Sequence, residues 1–313
     1  MNRNHWWTSG YRPQGARTAS GAIDLIPVVL SGSEAAGTGG RPFVSILGSP
    51  AINNQGLVVF MGALTSGIAA TGVWAQQANN QFLLAQVGDI LPGLSSPIAG
   101  FNVPGAGDGV SCCFFMGLQS GDNGGALCLI PELLTVAMTG QTAPGTSGTY
   151  QNTFPTAPSF GYPIAINASS TFAFMSEVTG AGAVTGGVWI GPVGQPSVEV
   201  LTGYPAPGTG LSFTGFNQVH LNDNGVMAFA ATTEDGGGVW AGASGSLILI
   251  ALSGQDAPGS GQQFFQFDAP TLNNAGVVAF EAMLTGGLDS IWSYDGACPW
   301  SRSPARRSRM ARA

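Results

Sequence analysis

The residues able to do chemistry are few, and none falls in a spacing that chemistry requires. There are two histidines, His5 near the N-terminus and His220 two residues before Asn222. A zinc site built on one helix face needs two imidazoles at His-x-x-x-His or His-Glu-x-x-His spacing, and neither pattern occurs. A serine nucleophile on a Gly-x-Ser-x-Gly turn is also absent, and His220 reads as a hydrogen-bonded structural residue. Cys112, Cys113, Cys128 and Cys298 contain no Cys-x-x-Cys pair. They read as small buried hydrophobes, with a Cys113–Cys128 bridge across a hairpin as the alternative. Asp89, Asp256 and Glu34 fall in recurring turns, where carboxylate and backbone oxygens bind Ca²⁺ if ligands are dense enough. No Asp-x-Asp-x-Asp loop is present, and solvated turn acids are the ordinary reading. The glycine-rich runs 105–109 and 236–238 lack the lysine and following helix of a phosphate loop. No catalytic, cofactor-binding or metal-binding residue is therefore assigned, and no cofactor is expected.

Charge narrows the partners. All nine basic residues are Arg, at positions 3, 12, 17, 41, 302, 306, 307, 309 and 313, so residues 42–301 contain no cation. That same span holds 14 of the 16 acids. A nucleic-acid partner needs cations to neutralise phosphates, and this surface has none; anionic membranes and phosphorylated ligands are disfavoured likewise. No apolar run is long enough for a membrane span, and the N-terminus lacks the apolar core of a signal peptide. The expected partner is a carbohydrate or a protein.

What must position any site is a set of repeats. Asn273-Asn-Ala-Gly-Val-Val-Ala-Phe280 recurs as Asn53–Phe60 and Asn222–Phe229, blurred as Asn167–Phe174, and degraded as Ala106–Cys113 followed by Phe114. Asn with Gly three residues on marks a tight turn, the side chain capping the backbone and Gly taking the positive φ. Ser170 replaces that Gly, so its turn must shift or accept strain. The apolar run ending in Phe reads as a strand covered on both faces. A second motif, a Gly-x-x-x-Pro-Gly-like turn, appears at 32–37, 88–93, 140–145, 203–208 and 254–259. A third, Gly-Val-Trp, appears at Gly72–Trp74, Gly187–Trp189 and Gly238–Trp240, with Ser290–Trp292 as a variant; Cys128 stands where other repeats carry Trp. The fourth is a Phe-rich strand, as in Phe213–Phe216 and Phe264–Phe267. Trp74, Trp189, Trp240 and Trp292 read as core rather than as sugar platforms.

The turn glycines and their equivalents lie 51 to 61 residues apart. Four short strands in that length is the period of a propeller blade. The expected fold is all-β: a five-unit β-propeller-like ring of four-stranded blades over residues 21–297, with an irregular tail at 1–20. Ile23–Leu30 and Phe43–Leu47 are read as the last two strands of a unit. Val277–Met283 and Ser290–Tyr294 are read as the first two, so the two ends complete one blade and remove the free edges. The strand around Ile291 should then pair with that around Val28. Residues 298–313 carry five Arg and break the pattern. A disordered basic tail explains this; so does an out-of-frame reading of a missing third strand, which makes the chain a fragment of a larger propeller.

The motifs resemble those of the bacterial tandem-repeat proteins named for Asn-x-x-Gly-x-x-Ala-Phe, a choice-of-anchor type. Asn222/Gly225/Ala228/Phe229 and Asn273/Gly276/Ala279/Phe280 match in full. Asn53/Gly56/Phe60 matches with Val at the Ala position, and Asn167/Ala173/Phe174 without the Gly. The resemblance spans roughly residues 30–295 and implies a secreted or cell-surface location without catalytic residues. The expected function is thus non-enzymatic, presenting loops for binding or structural display. The alternative is a carbohydrate-active, glycosidase-like propeller enzyme with paired carboxylates, distinguished by convergence of three carboxylates in a central funnel.

Overall fold

A computed structural model describes residues 27–65, 71–102, 104–107, 111–129, 132–151, 164–180 and 183–296. Every regular element among them is a β-strand. Five antiparallel sheets follow one another along the chain. The first runs in meander order through Phe43–Ile52, Val58–Leu64, Thr71–Gln77 and Asn80–Gln86. The second is built on Ile98–Phe101, Ser111–Leu118, Asn123–Leu129 and Glu132–Met138. The third comprises Thr149–Tyr150, Thr171–Gly180, Ala183–Pro192 and Ser197–Leu201, and the fourth Phe213–Leu221, Val226–Thr233, Gly236–Ala243 and Ile248–Leu252. The fifth has Gln262–Phe267, Val278–Leu284 and Asp289–Tyr294; among the described residues nothing pairs with the outer edge of this last strand.

Each octet makes the hairpin between the first and second strands of its sheet. Asn53 N–H bonds the Leu57 carbonyl and Gly56 N–H the Asn53 carbonyl, and the pattern repeats at 167, 222 and 273. Gly56, Gly225 and Gly276 have φ of 77°, 75° and 82°, and Ser170 accepts the strain at 57°. Asn222 Oδ1 caps its turn by accepting from the N–H groups of Asn224 and Val226. Its amide then donates to the Asn273 carbonyl, the same position in the next sheet, at 3.0 Å. Asn167 reaches the Asn222 carbonyl, and Asn53 that of Gly107, in the same way. These residues therefore form a ladder that fixes the stagger of one sheet on the next.

The core of the first, third and fourth sheets is an aromatic triad. Trp74, Trp189 and Trp240 are fully buried. Phe60, Phe174 and Phe229 stack on them with interplanar angles of 18°, 21° and 19°. Phe43, Tyr150 and Phe213, from the first strands, meet the same indoles edge-on at 4.8, 5.2 and 4.9 Å. The indole N–H groups donate to Ala36, Pro144 and Pro207 carbonyls in the turns that precede each sheet, all at 3.0 Å. The next residue, Gly37 or Gly208, must be Gly: besides the positive φ, a Cβ would lie 2.8 Å from Leu83 or 3.1 Å from Leu249 on the fourth strand.

Several expectations change. The octet strand is the second of its sheet, because the Phe-rich strand before it is its ladder partner, as in Phe43↔Leu64 and Phe213↔Thr233. Phe43–Leu47 therefore opens the first sheet and does not close a last one. The pairing of the Ile291 strand with that around Val28 is not formed. Pro27–Leu30 lies in no ladder, and Val28 and Val29 cover the Phe43, Phe60 and Trp74 cluster instead. Residues 23–26, the tail 1–20 and the tail 298–313 lie outside the described residues. In the second sheet Phe114 pairs with Ala126, so Ala126 and not Cys128 takes the Trp place, and Gly107 takes the Asn place. Cys112, not Cys113, faces Cys128; Cys113 is a buried free thiol, so the Cys113–Cys128 bridge is absent.

Two outcomes follow from this packing. Trp240→Ala should lower unfolding free energy by about 3–5 kcal/mol in a denaturant titration, since it removes a fully buried aromatic. Ser170→Gly should raise it by about 0.5–1 kcal/mol, because Gly adopts the positive φ without strain.

Candidate functional site

The fourth and fifth sheets leave between them a cleft of about 490 Å³. The strands that line it carry bulges that recur in the first and second sheets, between Phe43 and Ser45 and between Ile98 and Gly100. The Phe213–Leu221 strand bulges between Phe213 and Gly215 and again between Asn217 and Val219, where Gln218 has φ 26°. A bulge re-aims side chains beside a site, and here it brings Phe216 and Asn217 to the cleft wall. Opposite, the Gln262–Phe267 strand bulges between Phe264 and Gln266. Phe264 and Phe267 turn into the core, while Phe265 is 59% exposed and lines the cleft with Gln266. Gly236 and Gly237 form the remaining wall, and a Cβ on Gly236 would lie 2.8 Å from Ser253 Cβ.

A second pocket of about 210 Å³ shares Asn217, Gln266 and Phe267 with the first. It adds three carboxylates, Asp268, Glu281 and Asp289. Asn217 Oδ1 is buried and accepts no hydrogen bond from the protein. A buried acceptor without a donor costs about 1–3 kcal/mol, and the Asn217 side chain that carries it forms part of the cleft wall. The combined cavity offers aromatic surface, amides and carboxylates, and among the described residues no Arg or Lys lines it.

The residues singled out in sequence do not assemble there. Asp89 Oδ2 accepts the Gln86 N–H at 2.9 Å, a turn-capping role that Gln141 and Gln255 fill in other turns. Asp256 accepts from Gln263 at 3.5 Å. Among the described residues no three His, Cys, Asp or Glu side chains are grouped to hold a metal ion. Cys113 donates to the Ile164 carbonyl at 3.2 Å, and burial pushes its thiol up to about 12, so it is not a nucleophile. Trp74, Trp189 and Trp240 are core, as read; Trp292 is half-buried. The cleft residues carried no sequence signal. Asn217, Phe265 and Gln266 lie inside Phe-rich strands that read as core.

His220 lies two residues past Gln218, whose Nε2 sits 3.0 Å from His220 Nε2. Burial holds its pKa below the ordinary 6.5. The folded state thus resists a proton that the unfolded state accepts, and His220 lowers stability as pH falls below 6.5 towards its folded value. The denaturation midpoint of the protein should drop between about pH 7.5 and 5, and His220→Gln should flatten that dependence.

Residues 13–303 match the model of a family of unknown function, DUF7453. Among curated proteins none matches the chain. Solved structures give distant likenesses. The polysaccharide lyase Uly1 is 10% identical, with TM-score 0.43 over 90% of this chain and 62% of that one. The Aleuria aurantia lectin is 10% identical, with TM-score 0.33 over 86% and 82%. The Dos1 propeller is 12% identical, with TM-score 0.36 over 81% and 58%. The chain spans about three-fifths of the length of the lyase, and likenesses of this degree assign neither activity nor ligand. By the match over nearly its whole length, the chain belongs to the DUF7453 family.

Proposed function

We propose that the protein is a non-enzymatic binding module that takes an uncharged, hydroxyl-rich ligand of the carbohydrate class in the cleft between the fourth and fifth sheets. The observation that carries this reading is exposed Phe265 lining one cleft together with the amide side chains of Asn217 and Gln266. A pyranose presents an apolar C–H face suited to an aromatic ring and a rim of hydroxyls suited to side-chain amides. Anionic ligands are disfavoured, since Asp268, Glu281 and Asp289 repel them. Display outside the cytoplasm rests on the resemblance to the Asn-x-x-Gly-x-x-Ala-Phe repeat proteins, and the array of sheets is read as propeller blades.

A second reading, a carbohydrate-active enzyme, is favoured by one observation: the three carboxylates line the smaller pocket. One experiment separates the two. A panel of neutral oligosaccharides is titrated by calorimetry, and the best ligand is retested with Phe265→Ala. Binding should weaken about tenfold, equivalent to about 1.4 kcal/mol, with the melting temperature unchanged because Phe265 is outside the core. Chain cleavage that Glu281→Gln or Asp268→Asn abolishes would establish the enzyme instead. No binding to any neutral sugar would overturn both.

A further inference from the structure

The two ends of the sheet array are complementary, and each lacks what the internal junctions have. The residue before the recurring Trp faces the following sheet. Val73, Val188 and Val239 are 0% exposed there, whereas Ile291, in the same place on the fifth sheet, is 83% exposed. The Asn ladder stops at the same face: Asn167 and Asn222 are buried, but Asn273 is exposed and its amide reaches no carbonyl among the described residues. The edge is open too. A Cβ on Gly259 would meet nothing within 4 Å, where one on Gly37 or Gly208 would meet a fourth-strand leucine. The Trp292 N–H turns to Ser290 Oγ, where the other indoles reach a turn carbonyl.

The leading end is the converse. On the first strand of the first sheet, Ile46 and Ile52 are 38% and 70% exposed. Phe216 and Leu221, their counterparts in the fourth sheet, pack against the third. Before that strand lies Pro27–Leu30, in the place of a fourth strand but without a sheet. Gly32 N–H donates to the Phe43 carbonyl at 2.7 Å, as Gly254 N–H does to Phe264 at 2.8 Å after the true fourth strand Ile248–Leu252. By that register Val28, Val29 and Leu30 correspond to Ile250, Ala251 and Leu252.

We propose that these ends join between copies of the chain, head to tail. Val28–Leu30 of one copy adds as the fourth strand on Asp289–Tyr294 of another. The incoming first sheet then covers Ile291, and Asn273 reaches the turn that begins at Asn53. A second copy is the occupant because, among the described residues, the two ends do not meet within one chain. Among the described residues no fifth-sheet side chain belongs to the first-sheet cluster, and no ladder joins the two sheets. The interface is heterologous, so it closes into a ring of copies or extends as a filament according to the angle per copy.

Light scattering during gel filtration tests this on the full chain. The wild type should elute as two or more copies, with the fraction assembled rising with concentration. Val28→Asp spoils the leading end and Ile291→Asp the trailing end, so each variant alone should be monomeric. Mixed, they retain one intact junction and should give a 1:1 dimer and nothing larger. A wild type that stays monomeric at every concentration overturns the proposal. Slow amide exchange in Asp289–Tyr294 would then mean that the chain closes on itself, and rapid exchange that the edge stays bare. A mixture of the variants that remains monomeric while the wild type assembles overturns the head-to-tail arrangement.

Discussion

The structure depends on a buried indole N–H and the turn carbonyl that it reaches. Trp74, Trp189 and Trp240 are fully buried against aromatic neighbours. An unpaired buried donor costs about 1–3 kcal/mol, so the connection preceding each sheet must bring a backbone carbonyl inward. Ala36, Pro144 and Pro207 do so. The chain must then leave at once, which explains the glycine that follows and its contact with the fourth strand. One hydrogen bond thereby ties the connection, the third strand and the fourth strand into a unit.

The asparagine ladder acts at the next level. Hydrophobic packing between sheets has no direction and would allow neighbouring sheets to slide. An Asn whose oxygen caps its own turn and whose amide reaches the next turn's carbonyl sets a single stagger. The second sheet shows what happens without it. Gly107 holds the position, and its backbone still accepts from Asn53, but it has no side chain to extend towards Asn167. That sheet also lacks the Trp, so its core relies on Phe114, with Phe101 edge-on at 5.6 Å.

The cleft lies between the fourth and fifth sheets, on strands with the bulges that recur in the first and second. Asn217 and Phe265 sit on strands whose bulges displace side chains by one position, turning what reads as core sequence towards an open wall. The carboxylates of the smaller pocket come from 268, 281 and 289, on three separate segments, which are adjacent only because the fifth sheet folds them together. Nothing in their spacing announces a site.

The all-β fold, the tight Asn-x-x-Gly turns and the buried tryptophans were determined by the sequence alone, because each follows from local rules. Gly or a strained Ser takes the positive φ at 56, 170, 225 and 276, and a large aromatic recurring after Gly-Val packs inward. The lack of Arg and Lys in residues 42–301 likewise needs no coordinates. Only the tertiary structure decided which strand begins a sheet, since the repeat reads the same from any starting point and hydrogen-bonded partners set the phase. It also decided that Gly107 and Ala126 are the degraded motif positions, because ladder register outweighs residue likeness where side chains have diverged. It placed Val28 and Val29 on the first sheet rather than beside Ile291: their apolar surface is buried wherever a partner lies within reach, and pairing between distant segments depends on the angle between successive sheets, which no local pattern encodes.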